Sequence, residues 1–128
     1  RPEKRAALEK RTSVVPGNAT GRYPAVERLA EAMAALPPET MLVLLAPPAF
    51  VTGLPAPGTA EEAAENACKS ALRNLASIRR NGAWLDWRTD RPETRNPELW
   101  FDHTHYRAGV AKAIETEIAE AIAKSRQR

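Results

Sequence analysis

The chain has 128 residues, 43% apolar and 27% charged, which is one domain's worth of an ordinary soluble globular composition. Its net charge of +3 comes largely from the two ends, from Arg1, Lys4, Arg5, Lys10 and Arg11 and from Lys124, Arg126 and Arg128. So dispersed an excess argues against a nucleic-acid partner, which needs a concentrated basic face. No apolar run approaches the length of a membrane helix, and the single cysteine, Cys68, cannot close an internal disulfide and reads as a core thiol.

In chain order, residues 1–11 are charged with little apolar content and read as a helix end or a flexible lead, as do residues 125–128 at the other end. A short apolar run at residues 12–15 is stopped by Pro16-Gly17-Asn18, a turn signal. Residues 24–36 predict a helix, with Pro24 at its first position and Val26, Leu29, Ala30, Met33 and Leu36 along one face. Met41 to Ala46 is apolar without alternation and closed by Pro47-Pro48, the pattern of a strand buried on both faces of a parallel sheet.

A Pro/Gly-rich loop, residues 51–58, follows. The next helix is capped by Thr59, has Glu61, Glu62 and Glu65 at its positive end, and turns Ala64, Ala67, Cys68, Ala71, Leu72, Leu75 and Ile78 inward. Arg79 and Arg80 meet its negative end, and Asn81-Gly82 stops it. Residues 83–87 predict a second strand, residues 88–100 a loop, and residues 107–124 a last helix facing inward through Val110, Ile114, Ile118 and Ile122. Strands alternating with helices imply one α/β domain, a three-layer α/β/α sandwich on a parallel sheet, with a third strand expected at residues 13–15 or beyond this sequence.

Functional groups of such sheets gather at the carboxyl ends of the strands. Both histidines of the chain fall there, in Asp102-His103-Thr104-His105-Tyr106. A general-base histidine needs one ring nitrogen facing a nucleophile and the other held by a carboxylate, which fixes the tautomer and stabilises the imidazolium. Asp102, three residues before His105 on a turn leading into a helix, can supply that carboxylate. His103 is the rival base. A metal held by Asp102, His103 and His105 would be cramped and lacks a fourth ligand, so no metal is expected. Asp102 or Thr104 could also serve only as a helix cap, with His105 a polar first-turn residue.

The Asp-x-x-His turn before a terminal amphipathic helix, with the preceding order of apolar strand, Pro-Pro, long helix and short strand, resembles the last block of the SGNH (GDSL-like) esterases and acyltransferases. Residues 99–106 look most like the cell-envelope branch, which includes alginate O-acetyltransferases and D-alanyl transfer proteins. The resemblance covers residues 12–124 as an element order and rests on Asp102 and His105. It implies a flavodoxin-like sandwich, a serine nucleophile, an oxyanion hole, and an acylated carbohydrate or small ester as substrate, with no cofactor. It also implies an extracytoplasmic, periplasmic setting and allows a membrane anchor on the parent protein.

The family's nucleophile turn is not recognisable: Ser13, Ser70, Ser77 and Ser125 have the wrong contexts. Gly17-Asn18 could stand in for the oxyanion block, with Asn18 as donor, or be a turn only. Trp100 could face substrate, while Trp84 and Trp87 suit a core short of aromatics. The chain is therefore expected to be the C-terminal part of a larger SGNH-like domain, supplying Asp102 and His105 to a triad. A non-catalytic α/β module that binds a glycan or protein through residues 51–58 and the tryptophan loop is the competing expectation.

Overall fold

The computed structural model describes residues 1–12 and 20–127. The predicted strand at residues 13–15 and the candidate oxyanion residues Gly17 and Asn18 lie outside the described residues. The elements run α1 (Pro2–Glu9), α2 (Pro24–Ala34), β1 (Leu42–Ala46), a 3-10 turn (Val51–Gly53), α3 (Ala60–Ile78), β2 (Gly82–Asp86), α4 (Pro92–Arg95), a second 3-10 turn (Pro97–Leu99) and α5 (Ala108–Arg126). The fold is mixed α/β. Among the described residues the sheet has two strands, β1 and β2, which pair in parallel with Leu42 opposite Gly82 and Ala46 opposite Asp86.

Helix α3 packs on both strands, and α5 lies against β2. The side chains of Leu45 and Leu85, opposite one another in the register, join a core of Leu8, Phe50, Trp87, Trp100, Val110 and Ile114. This core sits at the carboxyl ends of the strands, beneath the segment that carries both histidines. Along β1, by contrast, Leu42 to Leu45 are only half-buried, although such an unbroken apolar run suits a strand covered on both faces.

Helix α3 forms as its sequence dictates. The Thr59 hydroxyl accepts the Glu62 N–H at 3.2 Å, and Glu61 and Glu62 occupy the first turn. Its far end differs from expectation. Arg79 is the C-cap, and its guanidinium reaches across to the end of α2, donating to the carbonyls of Met33 (2.8 Å), Leu36 (3.0 Å), Pro37 (3.0 Å) and Thr40 (3.2 Å). A planar fork of donors suits a cluster of carbonyls gathered at a helix end and the turn after it. Ile78, expected inward, is 78% exposed. It occupies the last turn of α3 and lines an apolar groove with Met33, Leu36 and Leu75, between the two helices. Cys68 is half-buried rather than a core thiol.

Gly82 opens β2 because nothing larger fits. A Cβ there would lie 2.0 Å from the Ala76 carbonyl oxygen in the last turn of α3. Gly82→Ala must therefore push strand from helix, and overpacking of this kind costs about 1–3 kcal/mol. Urea denaturation is expected to show that loss in the midpoint; a midpoint equal to wild type would contradict the close approach.

Residues 2–9, expected as a helix end or a flexible lead, form α1, and its Leu8 is 1% exposed in the core. Residues 125 and 126 belong to α5. The stretch of residues 88–100, expected as loop, holds α4 and the second 3-10 turn. Thr94 explains why: its hydroxyl, fully buried, accepts the Arg91 N–H at 2.9 Å and closes a capping box. The Asn96 side chain then accepts the Glu98 N–H at 3.0 Å.

Candidate active site

The path from β2 to α5 is pinned at several points before it reaches the histidines. Lys69 of α3 binds the Asp86 carboxylate at 2.9 Å and the Arg88 carbonyl at 2.8 Å. The Arg91 guanidinium lies 3.6 Å over the Trp87 ring and donates to Glu117 of α5 at 3.0 Å, and the Trp87 indole donates to the same carboxylate. Trp100, fully buried, donates its indole N–H to the Glu93 carbonyl at 3.0 Å. These contacts hold both ends of residues 101–107 against the body of the fold.

Within that frame the chain makes a narrow loop. Trp100 and Tyr106 form an antiparallel bridge, the Phe101 N–H donates to the His105 carbonyl at 2.8 Å, and the Arg107 N–H donates to the Leu99 carbonyl at 2.8 Å. Asp102, His103 and Thr104 are its tip. The Asp102 carboxylate accepts the backbone N–H groups of Thr104 and His105, both at 2.9 Å, and the Thr104 hydroxyl at 3.2 Å. An aspartate that accepts from the residue two positions on is an Asx-turn, so the local sequence itself builds this loop.

The same carboxylate faces the His105 ring, with Nδ1 2.8 Å from Oδ2 and 2.9 Å from Oδ1. A carboxylate only accepts, so Nδ1 carries the proton, and in the neutral ring the lone pair resides on Nε2. Among the described residues nothing bonds that Nε2. This is the tautomer and orientation a general base requires.

His103 is placed differently. Its Nε2 lies 2.9 Å from the Lys10 carbonyl and therefore donates, and its ring stands edge-on to Phe50 with centroids 6.3 Å apart. Among the described residues no carboxylate holds its other nitrogen. The two rings serve different partners, and among the described residues no group of three His, Cys, Asp or Glu side chains could hold a metal ion.

The backbone N–H of Thr104, then the His105 ring, hold the Asp102 carboxyl down at about 2, below its ordinary 3.8. The folded value lies below the unfolded one, so these contacts stabilise the turn fully above about pH 4 and are lost as pH falls through about 2. The Asp102 and His105 side chains are 56% and 73% exposed, so solvent screens the effect and keeps it small. Asp102→Asn removes the titrating group. Between pH 4 and pH 2 wild type is therefore expected to lose stability relative to the variant in urea titrations, while a difference that is constant across that window would contradict the assigned contacts.

Of the other predicted site residues, Trp100 is corrected. It is 0% exposed in the core and has no surface to offer a substrate, whereas Phe101 and Tyr106 beside it are 57% and 37% exposed. Phe101 is stacked by the Arg107 guanidinium at 4.1 Å. The described serines are remote from the turn. Ser125 lines cavities with Met41 and Asn81 at the amino ends of the strands. Ser70 and Ser77 lie within α3, where the Ser77 hydroxyl donates to the Asn74 carbonyl at 2.6 Å. The cleft at the carboxyl ends, about 140 Å³, is lined by Arg11, Leu54, Glu65, Lys69, Arg88 and Asp90, not by Asp102 or His105. The part played by Thr104 went unread in the sequence, although an Asp followed two residues later by Thr is the Asx-turn spacing. Compared with protein-family models, curated proteins and solved structures, the chain finds no match.

Proposed function

We propose that this chain supplies the Asp–His part of an SGNH-type serine esterase or O-acyltransferase that acts on an acylated carbohydrate or cell-envelope polymer. The observation that carries the reading is the His105 ring, held through Nδ1 by Asp102 at 2.8 Å on a side chain that is 73% exposed. A serine hydroxyl from elsewhere in the polypeptide attacks the acyl carbon while His105 Nε2 takes its proton. The tetrahedral intermediate collapses to an acyl-serine, and His105 returns the proton to the departing oxygen. Water or a sugar hydroxyl, deprotonated in turn by His105, then attacks the acyl-serine, and the serine oxygen departs with the proton that His105 returns to it. Asp102 keeps the ring in the required tautomer and stabilises the imidazolium.

The half-buried run of Leu42 to Leu45 supports the further part of the proposal, that β1 has another parallel strand beside it and that the complete domain is a three-layer sandwich. In that domain the serine follows a strand on the far side of β1. The extracytoplasmic setting belongs to the same proposal and rests on the likeness to the cell-envelope branch.

The test is ester turnover by the intact protein, with p-nitrophenyl acetate as probe. Asp102→Asn leaves the loop's size unchanged but withdraws the carboxylate, and kcat is expected to fall roughly a hundredfold or more. An Asn variant with the wild-type rate would overturn the role of Asp102. One observation favours a second reading, a module that binds a glycan or protein without catalysis: Asp102 and His105 sit on an exposed shoulder rather than in the cleft at the strand ends. That reading predicts no turnover at all in the intact protein.

A further inference from the structure

The tip of the 101–107 loop builds itself from local bonds, but local bonds do not say where it sits. Asp102 bonds to Thr104 and His105, Thr104 to Asp102 and His105, and His105 to Phe101, Thr104 and Asp102. Among the described residues, only His103 ties residues 101–105 by hydrogen bonds to the rest of the molecule. It does so on two sides. Its carbonyl accepts the Phe50 N–H at 2.8 Å, and its ring donates to the Lys10 carbonyl at 2.9 Å, joining the turn to a segment 93 residues earlier in the chain.

Both anchors are themselves held. Phe50 is in the core, edge-on to Trp100 at 6.1 Å. Lys10 follows α1, whose Leu8 is buried and whose Leu8 carbonyl accepts the Thr52 hydroxyl. The Thr12 N–H donates to the Thr52 carbonyl at 3.0 Å, and Arg11 donates to the Leu54 carbonyl at 2.6 Å. The 3-10 turn Val51–Gly53 thus carries α1 on one side and the candidate catalytic loop on the other. Gly53 lets them approach: a Cβ there would stand 3.3 Å from the His103 Cβ.

We propose that His103 is the positioning residue of the Asp102–His105 pair, clamping the loop tip between the Phe50 backbone and the segment that follows α1. This rests on the reading of Asp102 and His105 as a catalytic pair. His103 does not take a proton from the nucleophile, because its Nε2 is spent as a donor to a carbonyl. It acts by fixing the direction in which His105 Nε2 points, and through it the N-terminal segment bears on the site.

The variants separate the ring from its donor. His103→Gln keeps a donor that reaches the Lys10 carbonyl, and His103→Phe keeps the ring against Phe50 and deletes the donor. The readouts are kcat and KM for p-nitrophenyl acetate in the intact protein, and the Asp102 carboxyl carbon signal by NMR at about pH 3, where wild-type Asp102 is still ionised. The expected result is that His103→Phe loses kcat tenfold or more, as about an ångström of misplacement does, with KM little changed. Its Asp102 midpoint stays low, because the bonds that hold that carboxyl are the loop's own, and His103→Gln restores kcat. A folded His103→Phe protein with wild-type kcat would overturn the proposal, whether or not its stability is lowered. A loss of kcat accompanied by an Asp102 signal moved to the ordinary range would overturn it too, as the mark of a loop that has come apart rather than one misplaced. If Asp102 in wild type already titrates in the ordinary range, the Asp102–His105 pair itself fails, and the function proposed above fails with it.

Discussion

His105→Ala is expected to lower ester turnover by the intact protein about a hundred- to ten-thousand-fold, the contribution of a positioned general base. The loss should fall on kcat, because the imidazole acts on the reacting serine and not on the substrate's remote parts. The variant should remain folded. The His105 side chain is 73% exposed and outside the core, and exposed substitutions of this kind shift stability within about 0.5 kcal/mol. A rate loss without a shift in the urea midpoint is the expected signature. The same substitution at His103 tests the choice between the two rings, since His103 Nε2 is occupied by the Lys10 carbonyl. Should His103→Ala abolish turnover while His105→Ala spares it, the assignment of the base would be reversed.

Trp100→Ala is expected to cost about 3–5 kcal/mol of stability, the range for emptying a buried aromatic site. Trp100 has no exposed surface, packs against Phe50 and Tyr106, and satisfies the Glu93 carbonyl through its indole N–H. Alanine leaves both a cavity and an unpaired carbonyl. A domain of ordinary stability holds about 5–15 kcal/mol in total, so the variant stands at the edge of unfolding. Trp100→Phe fills most of the space and should fall between the two. Thermal or urea denaturation reads this directly. A Trp100→Ala protein as stable as wild type, with only KM raised, would return Trp100 to the substrate surface.

The sequence carried the elements whose signals are local. Thr59 with three glutamates marks the start of α3, Pro24 marks α2, and six unbroken apolar residues mark β1, because caps and short apolar runs need no distant partner to be read. The Asp102–His105 contact was legible for the same reason: three residues on a turn are neighbours whatever else folds. The fates of His103, Leu8 and Trp100 were not legible. Leu8 is a lone leucine among charges, and it becomes core only because Phe50, Trp100 and Val110 are brought to it. His103 is oriented by a carbonyl 93 residues away. Arg79 looks suited to its own helix end, yet its guanidinium serves carbonyls in the last turn of α2 and just past it. Pro92 and Thr94 carry a helix-start signal, but with Pro97 only five residues on, the two prolines read together as loop.

The most direct test of the central claim, that Asp102 and His105 activate a serine, is covalent capture of that serine. The intact protein would be treated with a fluorophosphonate and digested, and the adduct located by mass spectrometry. The account predicts one modified serine, other than Ser13, Ser70, Ser77 and Ser125, with labelling strongly slowed in His105→Ala and Asp102→Asn. No adduct on any serine, or an adduct that forms equally fast without His105, would contradict it.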